Sequence, residues 1–163
     1  MSKKKKSKYA KFVNHPRYGD KPRYTNDKHS MTEILKSYWG YKEDEVILST
    51  CIEANLEKQN YTVFPRSIYV DLMRNCASCR RKFIFYAKEQ QYWYEELRFF
   101  IDCDCVKCVD CRKKEQKLKQ LIKKYHLLHT SKRTVEEQAI YRNIALELYQ
   151  LGYIKNKQKL PKS

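Results

Sequence analysis

The most regular pattern of hydrophobic positions lies in the C-terminal third of the chain. Apolar residues recur there at intervals of three and four, which predicts a long amphipathic helix that begins near Cys108. The positions on its apolar face are Leu118, Leu121, Ile122, Tyr125 and Leu128.

A second helix is predicted shortly after the first. Thr134, followed three residues later by Glu137, forms a capping-box pattern, and Gly152 stands where a glycine commonly ends a helix. The apolar stripe of this helix is Ile140, Ile144, Leu148 and Leu151. The two helices together predict a helical hairpin within residues 116–163, followed by a basic tail.

Residues 31–115 show shorter patterns of mixed type. The expected elements are a short helix from Met31, extended chain over 61–74, an aromatic strand over 83–86, a helix over 87–98 and a returning strand over 99–101. Short strands followed by helices predict an α+β fold, with a small core and an inserted helix.

Residues 1–30 have no apolar periodicity and are expected to form a disordered or extended arm. The arm contains a small repeat, because Pro16-Arg17-Tyr18 recurs six residues later as Pro22-Arg23-Tyr24. Lys8-Tyr9 and Lys11-Phe12 continue the same pairing of a cation with an aromatic ring. Proline resists helix formation, so each Arg-Tyr pair would be presented on extended chain.

The net charge of +16 is unevenly distributed. Residues 1–30 carry ten Lys and Arg against two acids, residues 31–111 carry eleven against thirteen, and residues 112–163 carry fourteen against four. Two basic ends therefore flank a near-neutral middle, which indicates a polyanionic partner such as nucleic acid or an anionic membrane surface. The alternative is a lysine-rich tail that serves only solubility.

The sequence argues against a membrane and against secretion. No apolar run approaches the roughly 20 residues that a membrane span needs, and the basic arm lacks the apolar face of an interfacial helix. The chain starts with MSKKKK and continues with polar residues, unlike a secretory signal. We therefore expect a cytoplasmic protein, in which seven cysteines are metal ligands or buried thiols rather than disulfides.

Two C-x2-C pairs, Cys76/Cys79 and Cys108/Cys111, are separated by 28 residues. Two residues between ligands let one tight turn bring both sulfurs to the same ion, so the two pairs predict a tetrahedral zinc site. Cys105 and Cys108 are also spaced as C-x2-C. The pair 108/111 is preferred because the N-terminus of a long helix offers free N–H groups to thiolates.

The remaining candidate ligands receive simpler interpretations. Cys103 and Cys105 are expected to be passive thiols that are dispensable for folding, and Cys51 a packed thiol in an apolar run. His126 and His129 could form half of a second metal site on one helix face. Histidines that lie near a helix end without binding a metal are commoner than such half-sites, and that interpretation is preferred.

Several of these motifs together resemble a zinc-ribbon family of the treble-clef type that occurs in many small bacterial proteins. The resemblance runs from about Ile47 to Lys114 and includes the Thr50-Cys51-Ile52-Glu53-Ala54 stretch and the run Glu89-Gln90-Gln91-Tyr92-Trp93-Tyr94-Glu95. It closes on Lys107-Cys108-x-x-Cys111-Arg112. The resemblance implies the same four cysteine ligands and a treble-clef arrangement of knuckle, hairpin and helix. The family carries no established activity, so the resemblance extends only to zinc and the fold.

The sequence therefore favours a non-enzymatic zinc module that binds nucleic acid, with RNA or the ribosome preferred and no small-molecule substrate. Four thiolates leave no open position for catalysis at zinc, and stacking on aromatic side chains suits single-stranded RNA. Alternatives are a protein-interaction adaptor that docks through residues 92–100 and the helical hairpin, and a thiol redox protein. The residues expected to contact nucleic acid are Lys8, Lys11, Arg17, Tyr18, Arg23, Tyr24, Arg112 and Lys113.

Overall fold

The computed structural model describes residues 8–161. Over this range the chain forms short strands and helices, as an α+β fold requires. The first seven residues of the predicted arm lie outside this range. The chain divides into two compact units, residues 1–111 and residues 112–163. No helix of the described range is both long and apolar enough to cross a membrane.

Four short strands in the first unit form two antiparallel pairs. Strand β1 (Ile52–Glu53) pairs with β2 (Ile68–Tyr69), and β3 (Leu72–Asn75) pairs with β4 (Lys82–Phe85). Leu72 lies opposite Phe85 at the open end of the β3–β4 hairpin, and both side chains are buried. Their packing holds this end of the hairpin in the core. At its closed end the chain turns through residues 76–81, and this turn carries the first cysteine pair.

The first unit also contains two short helices and one 3₁₀ turn, Leu56–Lys58. Helix α1 (Met31–Ser37) begins at Ser30, whose hydroxyl accepts from the N–H of Glu33 while the Glu33 carboxylate accepts from the N–H of Ser30. Helix α2 (Ala87–Gln91) continues directly into a π-helical turn over Tyr92–Glu96. The predicted helix after the aromatic strand is therefore present.

The predicted strand over Phe99–Ile101 is wrong. The segment makes one isolated bridge, between Asn60 and Phe100, and the N–H of Ile101 donates to the Asn60 carbonyl at 3.0 Å. The chain then turns at Ile101 and Asp102, so no ladder can extend. Arg98, with φ of 56°, ends the preceding helical segment in the left-handed region.

The core of the first unit is rich in tyrosine and is organised by buried polar side chains. The amide of Gln90, fully buried, donates to the carbonyl oxygens of Val70 (2.6 Å) and Phe85 (3.0 Å). Arg66 is 2 % exposed, and its guanidinium lies 3.9 Å from the ring centre of Tyr38 and 4.5 Å from that of Tyr94. The hydrogen bonds of Gln90 and the cation–π contacts of Arg66 offset part of the cost of burying these polar side chains.

Over residues 13–29 the arm packs against the rest of the first unit, and of the two expected states, disordered or extended, it has the extended one there. It has neither helix nor regular strand, but Val13 is buried and donates its N–H to the Lys82 carbonyl at 2.8 Å. The Gly19 carbonyl accepts from the Tyr86 hydroxyl at 2.7 Å, and the N–H of Arg23 donates to Asp71 at 2.8 Å. These contacts join positions far apart in sequence, which local composition does not reveal.

The second unit is a pair of helices. Helix α3 (Val109–Thr130) has Cys111 in its first turn, and α4 (Val135–Gln150) begins at the predicted Thr134–Glu137 capping box. Gly152 has φ of 78° after the end of α4, as a C-cap glycine does. The core of this unit contains Leu128, Tyr141, Ile144, Ala145, Leu148 and Ile154.

The buried face of α4 differs from the predicted stripe by about one residue. Ile140 and Leu151 are 41 % and 56 % exposed, whereas Tyr141 and Ala145 are buried. The Tyr141 ring stacks on Tyr125 with 5.2 Å between ring centres. This aromatic contact, together with the small Ala145, sets the rotation of the helix.

Candidate metal centre

Two elements bring the four predicted cysteines together. The turn between β3 and β4 supplies Cys76 and Cys79; Cys108 directly precedes α3, and Cys111 lies in its first turn. Their four sulfur atoms all lie within 4.8 Å of one another. Cys76 and Cys108 are fully buried, and the other two are half-buried. The cluster is therefore closed on one side by the protein interior.

The turn that carries Cys76 and Cys79 is a tight knuckle. The N–H of Cys76 donates to the Arg81 carbonyl at 3.0 Å, and the N–H of Arg80 donates to the Cys76 carbonyl at 2.9 Å. Arg80 has φ of 63°, a left-handed conformation that glycine adopts more easily. The N–H of Ala77 donates to the Val106 carbonyl at 2.8 Å, which ties the knuckle to the segment before Cys108.

The donor set fits a tetrahedral metal ion bound by sulfur. Zinc–thiolate bonds of about 2.3 Å place tetrahedral sulfur atoms roughly 3.8 Å apart. The Sγ atoms of Cys79 and Cys108 are 3.7 Å apart. The four cysteines therefore form a site that can hold a metal ion, with all four positions taken by sulfur.

Backbone N–H groups point at the sulfur atoms. Burial opposes ionisation of Cys76, but the N–H groups of Cys79, Cys108 and Ser78 donate to its sulfur and lower its pKa to about 6. The contact from the Cys108 N–H is 3.3 Å long. Burial raises the pKa of Cys108 even though the N–H of Cys111 donates to its sulfur. Burial likewise raises the pKa of Cys111, and a bound cation would favour the thiolate at all four positions.

Arg81 supports the site from outside the ligand set, a role that the sequence analysis missed. Its backbone and side chain both donate to the Cys79 sulfur and lower the pKa of that thiol. The same guanidinium donates to the Asp110 carboxylate at 2.8 Å, at the start of α3. Such contacts hold metal ligands in position. The signal in the sequence is the cation two residues after the second cysteine.

The other three cysteines lie outside this cluster. Cys103 is exposed, whereas Cys105 is 1 % exposed and its thiol donates to the Lys107 carbonyl at 3.4 Å. Cys51 is packed in the core of the first unit. Burial, together with the negative charge of Asp27, raises its pKa to about 12, so its thiol is a poor nucleophile at neutral pH.

The two histidines of α3 pair with tyrosines. His126 Nε2 lies 3.2 Å from the Tyr153 hydroxyl, and His129 Nδ1 lies 2.8 Å from the Tyr141 hydroxyl. These contacts agree with the preferred interpretation as histidines near a helix end. Neither residue belongs to a group of metal-ligating side chains within the described part of the chain.

The basic arm and the knuckle share a groove. Lys8 and Lys11 lie along it with Phe12, and Arg81 and Lys82 form the other side. The groove has a volume of about 400 Å³. Four of its five lining residues are cations, so it concentrates positive charge next to the cysteine cluster.

The two Pro-Arg-Tyr copies have different environments. Tyr18 stacks on His15 at 4.7 Å and lies 5.2 Å from Tyr86, so its ring is engaged within the protein. Tyr24 is 65 % exposed. Arg17 is exposed with its guanidinium 5.7 Å from the Tyr92 ring, and the Arg23 backbone is held by Asp71. Of the two tyrosines, Tyr24 is the one available for stacking.

Arg112 and Lys113 follow Cys111 directly in α3. Arg112 is half-buried and Lys113 is exposed. Both belong to the second unit, where exposed lysines continue along the same helix.

Comparison with known proteins identifies the segment that holds the cluster. Residues 70–120 match the sequence profile of a family described as a probable treble clef domain. This segment contains both cysteine pairs, the β3–β4 hairpin and the start of α3, so the resemblance stated from the motifs is confirmed for it. No curated protein and no solved structure matched the chain.

Proposed function

We propose that this chain is a non-enzymatic module, folded around a structural zinc ion, that binds RNA through its basic surfaces. The groove formed by the arm and the knuckle is the observation that carries the RNA-binding part. The cysteine cluster carries the zinc part.

Zinc is the metal that the cluster suits best. Zinc is commonly bound by four thiolates in treble-clef and zinc-ribbon sites, with a closed tetrahedral shell. A closed shell leaves no position for a reactive water, which argues for a structural rather than a catalytic ion. The four sulfur atoms lie around one point, which favours a metal site. A redox dithiol would need only two cysteines.

The groove between arm and knuckle has the features of a backbone-binding surface. Lys8, Lys11 and Lys82 supply cations that contact phosphates without reading sequence. The hydrogen bond from the Val13 N–H to the Lys82 carbonyl holds the arm beside the knuckle. Because folding already orders this surface, RNA binding loses less conformational entropy there. Its charge would make binding depend strongly on salt.

Aromatic exposure supports single-stranded RNA over duplex DNA. Tyr24 presents its ring to solvent beside Arg23, and stacking of a base on such a ring contributes roughly 1–3 kcal/mol. The second unit adds cations along α3, where Lys113, Lys123 and Lys124 are exposed. Bases that are already unpaired can reach an exposed ring without the cost of opening a duplex.

Fluorescence anisotropy with a single-stranded RNA, measured over a range of salt concentrations, tests the proposal. Replacing Lys8 and Lys11 by alanine should weaken binding and reduce the slope of log K against log[salt] by up to about 1.4, since each phosphate contact contributes about 0.7. Lys36 and Lys42, exposed in the near-neutral middle, provide the matched double-alanine control. Equal salt slopes for the two double variants would contradict the role of the groove.

A protein-interaction adaptor is the second candidate. Tyr92, Leu97 and Phe99 are each 42–43 % exposed, within the stretch that the sequence analysis singled out. Val63 and Phe64, at 72 % and 69 %, add further apolar exposure. Crosslinking in cells separates the candidates, because an adaptor should recover protein and an RNA-binding module should recover RNA.

A further inference from the structure

A second group of metal-ligating side chains lies where the arm meets the core. It consists of Asp27, His29 and Cys51, whose ligand atoms all lie within 4.8 Å of one another. None of the three belongs to the four-cysteine cluster. Cys51 is 4 % exposed, and the side chains of Asp27 and His29 are 11 % and 33 % exposed. The group is therefore buried on one side and open to solvent at the histidine.

The backbone explains why these residues meet. The N–H of Thr25 donates to the Ser49 carbonyl at 2.7 Å, which lays the arm beside the segment that leads to Cys51. The N–H of Cys51 in turn donates to Asp27 Oδ2 at 3.1 Å. Asp27 and His29 are two residues apart, and the His29 N–H donates to Asp27 Oδ1 at 2.7 Å.

We propose that Asp27, His29 and Cys51 form a second metal site, which takes a divalent first-row cation such as Zn²⁺. Carboxylate oxygen, imidazole nitrogen and thiolate sulfur are all ligands of zinc. Three protein ligands leave the fourth tetrahedral position for water or an added ligand, unlike the closed four-cysteine site. The site goes beyond the proposed function and does not depend on RNA binding.

The present geometry requires a small change on binding. Asp27 Oδ1 lies 2.6 Å from His29 Nδ1, which is a hydrogen bond. Two such ligands on one zinc ion stand roughly 3.3 Å apart, given bonds of about 2.0 Å. The hydrogen bond therefore opens by about 0.7 Å when both groups bind the ion, and the metal displaces the protons of its ligands, that of the Cys51 thiol included, to solvent. His29 is the most exposed of the three and gives the ion a path from solvent.

The site would fasten the arm to the core. Asp27 and His29 belong to the arm and Cys51 to the core of the first unit, so one ion would crosslink the two. Binding should therefore protect the arm from proteolysis. Trypsin cleavage after Lys28, which is exposed and lies between the two arm ligands, gives a direct measure of this effect.

Cobalt titration of the purified zinc-containing protein tests the proposal. With the four-cysteine site filled by zinc, Co²⁺ should bind one further equivalent and produce the charge-transfer absorption of a cobalt–thiolate bond. Cys51→Ser should abolish this absorption, and His29→Ala and Asp27→Asn should each weaken cobalt binding at least 10-fold, as loss of a ligand is no milder than loss of its supporting contacts. Cys103→Ser, which changes an exposed thiol outside both groups, should leave the titration unchanged.

Two results would overturn the proposal. One is the absence of thiolate absorption in the wild-type protein, which would mean that the three residues form only a hydrogen-bonded network. The other is an absorption that survives in Cys51→Ser, which would place cobalt on another thiol. His29→Ala serves as the second variant where Cys51→Ser fails to fold, because the His29 side chain is 33 % exposed and its removal leaves the hydrogen bond from the Cys51 N–H to Asp27 in place. Slower trypsin cleavage after Lys28 with Co²⁺ should be lost in that variant.

Discussion

Replacing Cys105, Cys103 and Cys111 by serine one at a time distinguishes the two possible second pairs of the four-cysteine site. Both Cys105/Cys108 and Cys108/Cys111 have the spacing of a metal-binding pair, and the structure brings the latter to Cys76 and Cys79. Cys105 is nevertheless buried, so its loss affects packing. The three variants should therefore have three different phenotypes.

The expected magnitudes follow from burial and from the metal. Cys105→Ser places a hydroxyl at a 1 % exposed position, which costs about 1–3 kcal/mol without a partner and less when the Lys107 carbonyl accepts from it. A cost of about 1–2 kcal/mol lowers Tm by about 2–8 °C in a chain of this size. Cys103→Ser is exposed and should change Tm little. This revises the expectation that both cysteines are equally dispensable.

Cys111→Ser removes a ligand. Structural zinc contributes on the order of 10–16 kcal/mol in small domains, which is comparable with the whole stability of a typical domain. The β3–β4 hairpin has only four residues in each strand and is not expected to persist without the ion. Zinc retention and cooperative unfolding of residues 76–115 should therefore both be lost.

Elemental analysis of the purified variants, combined with thermal unfolding followed by circular dichroism, provides the measurement. Cys105→Ser should retain the zinc of the four-cysteine site with a lower Tm, and Cys111→Ser should lose that zinc. The ligand assignment is refuted if Cys105→Ser loses this zinc while Cys111→Ser keeps it.

Three further predictions concern the knuckle, a buried acid and the arm. Arg80→Gly should raise the unfolding free energy by about 0.5–1 kcal/mol, because φ of 63° strains a non-glycine residue; a lower Tm than that of Arg80→Ala would contradict this. Burial raises the pKa of Asp71 to about 6, so its stability contribution is greatest below pH 4 and falls by about 2–3 kcal/mol up to pH 6. Thermal unfolding should show wild type losing stability relative to Asp71→Asn between pH 4 and pH 6, and parallel pH profiles would rule this out. Tyr24→Ala should weaken RNA binding by about 1–3 kcal/mol with an unchanged salt slope, whereas Tyr18→Ala should mainly lower Tm.

Local patterns in the sequence were sufficient for the helices and for the cysteine pairs. The capping box at Thr134 depends on residues three apart, and each C-x2-C pair on a single turn, so both can be read without tertiary structure. The same holds for the amphipathic period of α3. These features need only neighbours within about one helical turn.

The features that were missed depend on contacts between distant residues. The arm has no apolar periodicity, so its own sequence does not reveal that Asp71 and Tyr86 supply partners for its backbone from far along the chain. Ile140 fits the helical period as well as Tyr141 does, and only the stack on Tyr125 decides which is buried. Phe99–Ile101 has strand composition but no adjacent strand with which to pair.

The docking of the arm has a consequence for synthesis of the chain. Gly19 and Tyr86, which share a hydrogen bond, are 67 residues apart, and the chain emerges from its N-terminus first. At translation rates of about 5–20 residues per second, the arm waits roughly 3–13 s for its partner to be made. During that interval its lysines and arginines are exposed beside the translating ribosome, whose RNA is a dense polyanion. A nascent chain that is paused before Tyr86 should therefore be more sensitive to trypsin within residues 8–28 than one released after Cys111.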